Sequence, residues 1–587
     1  MKSHIIQSSV FPSYDLCSEP SLYFRSSGVV EFGEQKRVVL PKSSHLLTDT
    51  YFNSFSIGKW KNKTGLTDLA LSLSFTGEIV LRWWWYQSQG RRASIGEVRL
   101  TSSDPVNPVH IPVPQFERLT DGVIAFEVFA LADSVIHGFQ YVTNMLPRRE
   151  VRLAISITHF NRQQYVIPAV HRLNEQLLSD PAYSNRVKLF VVDNSQNLKP
   201  EDMVGAQIIP NANLGGSGGF MRGLIHVQDA GEFTHCLFMD DDASNEIEAI
   251  RRTIALLEHA IDDKTAISGA MFYEQRPYIQ HENGAWYNGV CLSRGIGLDV
   301  RNMDCIVDNE IDEVLDYGGW WFFAFPLQYV THYAFPFFVR GDDIYFGLKN
   351  KFSTLTLNGI CSWQEDFAVK DSPLTVYLDF RRDMALSLLK TFQTASKRKI
   401  LRLIRNGFKN YLWTYHYESG AALLDAVEDV MKGPDFWLNN VDMSVRRPEI
   451  MKRIKNEKMQ DLPTDWRQNF RWSDKSRKKR LNRRLTLNGH LLPLFTFRKY
   501  NVALAKGFGG RINDSFRCKK VLCVDVLSQK GYVVEHNKKA FFTQLLRYYR
   551  LRYRFWRDYD KLRAAYKARE SDLTSRDFWQ AQFTKGI

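Results

Sequence analysis

Four apolar segments in the middle of the chain each run out into a polar loop, and this recurrence limits the fold more than any other feature. VRLAISITHFNR (151–162), VKLFVVDNS (187–195), QIIPNANLGG (207–216) and THCLFMDDD (234–242) read as buried strands ending on Asn, Asp or Gly. AVHRLNEQLLSD (169–180) and the stretch after the glycines, FMRGLIHVQ (220–228), carry helical spacing between them. Strand–helix–strand alternation predicts an α/β domain with a largely parallel sheet. Ligands in such sheets bind beyond the carboxyl ends of the strands. The loops at Asn161-Arg162, Asp193-Asn194, Asn213–Gly216 and Asp240–Asp242 should therefore converge on one crevice.

The flanking regions read differently. Residues 1–148 suggest an N-terminal β-sandwich. In LALSLSFTGEIVLRWWWY (69–86), apolar residues alternate on either side of a Thr76-Gly77-Glu78 turn, and GVIAFEVFAL (122–131) and VIHGFQYVT (135–143) add further strands. Trp84 and Tyr86 could form a sugar-stacking face, or the module could be structural or oligomerising. The α/β domain spans 149–390, and residues 391–587 read as a basic helical domain. Of the net charge of +14, much lies after residue 450, as in KSRKKRLNRR (475–484). Such a run suits an anionic membrane surface, nucleic acid, an acidic polymer or a solvated helix face. Nothing else in the chain supports nucleic acid, so no nucleic-acid partner is expected. Seven scattered cysteines without a CxxC pair argue against structural zinc and a disulfide framework, and fit a reducing compartment. No apolar leader and no stretch of 18 uncharged apolar residues is present, so any membrane contact is expected to be peripheral.

Asp240, Asp241 and Asp242 end an apolar strand, where adjacent carboxylates repel one another and resist desolvation. In an extended segment Asp240 and Asp242 point one way and Asp241 the other. The pair could bind a hard cation through oxygen, or the acids could simply open a helix, since DASNEIEAIRRTI continues as one. NLGGSGGFMRGL (213–224) has neither the GxGxxG nor the GxxxxGK[ST] spacing, so on its own it is a turn that lets something approach the backbone.

Taken together, the four loops resemble the inverting glycosyltransferases of family 2, which have a GT-A fold and a DXD-type metal site. HENGAW (281–286), YGGWW (317–321) and FPFFVRGDDIYFGLK (335–349) sharpen this. They look like the bacterial galactofuranosyltransferases that polymerise mycobacterial cell-wall galactan, whose three-part architecture also matches. The resemblance implies that Phe160, Asn161 and Arg162 contact the uracil and diphosphate of a UDP-sugar, with Asp193, Asn213, Gly215, Asp240 and Asp241 also on the donor side. It places Mn²⁺ or Mg²⁺ on Asp240 and Asp242, and makes Asp343 the general base. Glu282, Asp342, Trp320 and Trp321 become acceptor-binding residues. Read without the resemblance, Trp320-Trp321 could be a core pair, Asp342-Asp343 a helix cap and Glu282 a surface acid. The implied donor is UDP-galactofuranose and the acceptor a glycan or lipid-linked glycan. The implied setting is a homo-oligomer in the cytoplasm, peripheral on the inner face of the cell membrane.

One departure stands out. Where the similar enzymes place a metal-binding histidine, SWQEDF (362–367) has Gln364, a poorer ligand than imidazole. Glu365 or Asp366 could serve instead, or the metal could have two protein ligands. The same departure suits a different class of protein, a carbohydrate-binding scaffold with a degenerate transferase core.

Overall fold

The computed structural model describes residues 3–28, 31–33, 36–367, 370, 372–389, 396–472, 480–505, 514–526 and 528–585. Its N-terminal region is organised by one long strand, β1 (Ala70–Gln87). Leu71, Leu73, Phe75, Ile79, Leu81 and Trp83 share one parity along β1 and are all fully buried, so one face stays inward throughout. The Thr76-Gly77-Glu78 turn expected from the sequence does not form. The strand passes straight through Gly77, whose φ of 109° suits glycine. A Cβ there would lie 2.2 Å from Ser134 Oγ.

The first half of β1 pairs with Ser134–Thr143, and the second half with Val123–Ala130 and Arg91–Ser102. The pairings of the two halves form two sets that share this strand, ten strands in all. The proposed stacking face is also closed. Tyr86 is buried against Val307, with its hydroxyl 3.2 Å from Asp49, and Trp84 donates its indole N–H to Glu127.

In chain order the central strands are β2 (Leu153–His159), β3 (Val187–Asp193), β4 (Ala206–Pro210), β5 (His235–Asp240), β6 (Thr265–Ser268), β7 (Ala270–Tyr273), β8 (Arg276–Glu282), β9 (Phe323–Pro326), β10 (Ser353–Leu355) and β11 (Cys361–Gln364). Seven of them form one sheet in the order β4-β3-β2-β5-β9-β6-β10, and β8-β7-β11 form a second. β2 to β5 pair in parallel, while β9 runs antiparallel to both neighbours. Helices α1 (Gln163–Leu173), α2 (Gly215–Ala230) and α3 (Asp342–Asn350) join and cover these strands. This is the α/β architecture read from the strand–helix alternation, with a mixed sheet.

The flanking regions are bolted to this centre by buried polar contacts. Tyr23 donates to Glu246 at 2.6 Å, and the fully buried Arg252 donates to the Phe52 carbonyl at 2.7 Å. Phe52 packs on Trp363, the neighbour of Gln364, at 5.8 Å between ring centroids. On the other side, Tyr345 of α3 reaches Glu570 at 3.0 Å, and Trp579 donates to the Ala334 carbonyl at 2.9 Å. These last contacts clamp the segment that leads into Asp342 and Asp343.

The C-terminal region contains helices such as α4 (Arg446–Arg453) and the 36-residue α5 (Lys538–Leu573). It also contains a five-stranded sheet built from Gln460–Asp461, Phe470–Trp472, Asn501–Ala505, Lys520–Asp525 and Lys530–Glu535, so the all-helical expectation is corrected. With no strand longer than six residues, the alternation is too short to stand out among basic residues. Residues 473–479, which include the first half of the KSRKKRLNRR run, lie outside the described residues. Among the described residues no helix is long and apolar enough to cross a membrane.

Candidate active site

The carboxyl end of β5 delivers three aspartates to the edge of the sheet. Asp241 turns inward, accepting from the Phe160 backbone N–H at 3.0 Å and Arg162 Nη1 at 3.1 Å, with His159 Nδ1 at 3.3 Å. Its oxygens are taken up by the protein, so Asp241 shapes the 160–162 loop and is not an open donor ligand. Asp240 and Asp242 share the opposite side. The amide nitrogen of Gln364 lies 3.2 Å from an oxygen of each. Asp242 also meets Arg162 at 2.6 Å and Lys370 at 2.9 Å. Burial, reinforced by the charges of Asp242 and Asp241, pushes the Asp240 carboxyl well above its ordinary range.

Among the described residues no three His, Cys, Asp or Glu side chains gather to hold a metal ion. A cation here would therefore meet two carboxylates and the Gln364 amide. Gln364 Oε1 is buried without a hydrogen-bond partner, an unusual state for an acceptor. A half-turn of the amide exchanges its oxygen and nitrogen. One side chain can thus bridge the carboxylates as a donor, or face a cation as a ligand. This all-oxygen donor set fits Mn²⁺ or Mg²⁺. Glu365, its side chain 44% exposed, instead stands 3.9 Å from Lys370.

The loops around this edge correct several expectations. Asp193 is 2% exposed, and both its oxygens are saturated. They accept from the backbone N–H groups of Ser195, Gln196, Asn197 and Leu198, and from the Ser195 hydroxyl. It ties the 194–198 loop and has no capacity left for a nucleotide. Gly215, at φ 70°, is a glycine because the Phe338 carbonyl lies 2.1 Å from where its Cβ would be. Two further glycines of α2 serve close packing: a Cβ at Gly219 would meet Thr158, and one at Gly223 would meet Ser156. Asn213 accepts from the Gly215 N–H at 3.2 Å and stays half-exposed beside an open cavity. Asn161, at φ 54°, is exposed, with its backbone N–H on Ser195 Oγ.

That close packing has a consequence. Ser217 of α2 donates to Asp342 Oδ2 at 3.1 Å, so the glycine helix touches the second acidic pair directly. Asp342 and Asp343 are the first residues of α3, after Gly341 at φ 104°. Asp342 is buried, and burial together with the Asp343 charge raises its pKa. Asp343 is partly exposed. Burial raises its pKa as well, while backbone N–H groups and the Arg382 guanidinium pull it back. Glu282, at the end of β8, is 5% exposed; one oxygen accepts from Ser293 at 2.6 Å and the other has no partner. Burial, followed by the Asp343 charge, pushes Glu282 up to about 8 against the pull of Ser293.

The tryptophan pair does not form an open floor. Trp320 is wedged edge-to-face among Phe220, Phe238 and Phe346, because its ring completes the core between α2, β5 and α3. Trp321 is 8% exposed and packs on Phe367, its indole N–H donated to the Gly269 carbonyl.

No protein-family model matches the chain. Galactofuranosyltransferase GlfT2 of Mycobacterium tuberculosis is 24% identical over 426 residues, 66% of this chain and 65% of its own length. The chain is similar to galactofuranosyltransferases. GlfT2 of Mycolicibacterium smegmatis is 23% identical over 440 residues, covering 69% of this chain and 66% of its own. The match thus spans just under two thirds of these relatives. Among solved structures, mannosyltransferase PcManGT from Pyrobaculum calidifontis, in complex with GDP-Man and Mn²⁺, is 10% identical. It covers 53% of this chain and 84% of its own at a TM-score of 0.28, too loose to transfer any residue's role.

Set beside the galactofuranosyltransferase resemblance, four side chains at this site carried no motif. His159 and Lys370 brace the aspartates, Ser217 holds Asp342, and Arg382 lies against Gly341 beside Asp343. Each arrives from a distant part of the chain, which a local pattern does not register.

Proposed function

We propose that this chain is a metal-dependent, inverting hexosyltransferase of GT-A type. It moves galactofuranose from its UDP donor onto a growing, lipid-linked cell-surface glycan. The observation that carries this reading is the approach of two acidic groups, close enough for the Asp240 charge to act on Asp342. Asp240 and Asp242 bracket Gln364 at the strand ends, and Ser217 of α2 holds Asp342. The similarity to galactofuranosyltransferases supplies the sugar.

Asp240, Asp242 and Gln364 would hold the divalent cation, which when bound supplies Lewis-acid stabilisation of the diphosphate. Arg162 and Lys370 bring further positive charge to that edge. Asp343 takes the proton from the attacking acceptor hydroxyl as its oxygen bonds to the anomeric carbon and UDP departs from the opposite face. Asp342 and Glu282, both raised in pKa, orient the acceptor through hydrogen bonds, and Trp321 packs on its C–H face. A panel of UDP-sugars with glycan acceptors tests this through metal-dependent UDP release. Absence of release with every donor would leave the scaffold reading.

The C-terminal region docks the enzyme on the anionic inner leaflet, where lipid-linked acceptors reside. Support comes from α5, on which Phe542, Leu546, Tyr549, Tyr553 and Trp556 are all exposed, between 41% and 63%. Their 4-3-4-3 spacing makes one apolar stripe of four aromatic rings and a leucine, and Arg550, Arg554 and Arg557 on the same helix add cations. Aromatic rings beside basic residues suit a membrane interface. Vesicles containing phosphatidylserine are expected to sediment the protein, and Tyr553→Ser with Trp556→Ser to reduce that at least about fivefold. Equal sedimentation with neutral vesicles would contradict anionic docking.

A further inference from the structure

A cavity of about 810 Å³ opens beside the donor loops, between Asn213-Leu214 and residues 438–451 of the C-terminal region. Its size falls within the range of small-ligand sites. Arg447 of α4 lines it, and the guanidinium stands 6.0 Å from the centroid of the Phe160 ring. The C-terminal region thus reaches the loop that carries Arg162, far away in sequence.

The cations around this edge differ in one respect. Arg162 is spent on Asp241 and Asp242, and Lys370 on Asp242. Arg446, the neighbour of Arg447, is spent on Asp429 and Glu449. Arg447 has no carboxylate partner and no side-chain hydrogen bond among the described residues. It lines a space whose other walls include Asn213, apolar Leu214 and Met443, the cation Lys585 and one carboxylate, Asp442, which pairs with neither cation among the described residues. An unspent guanidinium is matched in geometry and charge to a phosphate group.

We infer that this cavity receives the nucleotide part of a nucleoside-diphosphate donor and that Arg447 contacts its phosphate. This rests on the glycosyltransferase reading and adds a binding residue from outside the α/β domain. It makes the donor site a joint product of two regions, with Asn213 and Leu214 on one wall and Arg447 on the other. Arg162 and Arg447 then divide the work: the first balances the aspartates, and the second meets the ligand's own charge.

Calorimetric titration of UDP in the presence of Mn²⁺ tests the inference on the full chain, using wild type, Arg447→Ala and Arg447→Lys, with thermal unfolding as a check on folding. Arg447→Ala is expected to weaken UDP at least about tenfold, with Arg447→Lys recovering part of the loss. Uridine, which lacks phosphate, should bind wild type and Arg447→Ala equally. If wild type binds UDP and Arg447→Ala binds it as tightly, or loses uridine to the same degree, the Arg447 inference is overturned while the transferase reading stands. If wild type itself does not bind UDP, the transferase reading fails first.

Discussion

Asp343→Ala is expected to lower kcat by roughly 10²- to 10⁴-fold, the usual worth of a positioned general base, and to leave UDP affinity within about twofold. Of the two acids that open α3, Asp342 is buried and bonded to Ser217, whereas Asp343 is partly exposed and faces Arg382. Only Asp343 combines access to an incoming hydroxyl with a nearby cation favouring its ionised form. Because burial raises its pKa, the acid limb of kcat/KM should lie above the ordinary carboxylate range. Activity should fall as pH drops through that limb, since protonation removes the base. A pH–rate profile checks this, and full turnover by Asp343→Ala would contradict the base assignment.

Asp242→Ala is expected to have the next largest effect, abolishing the dependence of UDP binding on Mn²⁺. The loss should exceed the roughly 10- to 100-fold typical of removing an outer-shell partner, because Asp242 would be a direct ligand. It would also leave Arg162 and Lys370 without the carboxylate that both contact. Gln364→His should act in the opposite direction and tighten Mn²⁺, since imidazole is the better ligand. Calorimetry with Mn²⁺ alone and then with UDP separates these effects from turnover. Unchanged metal dependence in Asp242→Ala would remove the pair from the metal site.

Parts of this site were legible in the sequence because short-range geometry dictates them. FMDDD marks a strand end that carries three carboxylates; the strand stops at Asp240 and a turn over Asp241–Asp242, not strand alternation, sets their orientations. The convergence of loops at the strand ends follows from the α/β alternation. Other features depended on long-range contacts that no local pattern records. The glycines of NLGGSGGFMRGL look like a cradle for a ligand, yet the missing Cβ atoms of Gly215, Gly219 and Gly223 make room for Phe338, Thr158 and Ser156. Asp193 has the expected place at the end of β3, but its oxygens are filled by its own loop. Trp320 and Trp321 are adjacent in sequence and differ in what they pack against, because one ring enters the aromatic core. In the N-terminal region, Thr76-Gly77-Glu78 has turn composition, but constant parity from Leu71 to Trp83 favours one uninterrupted buried face.

The central claim is tested most directly by analysing the product formed when the protein, Mn²⁺, UDP-galactofuranose and a synthetic galactan acceptor are incubated together. The account predicts UDP release matched one-to-one by acceptor extended with galactofuranose, whose anomeric configuration by NMR is inverted relative to the donor. Unextended acceptor with no UDP released, or a product of retained configuration, would contradict it.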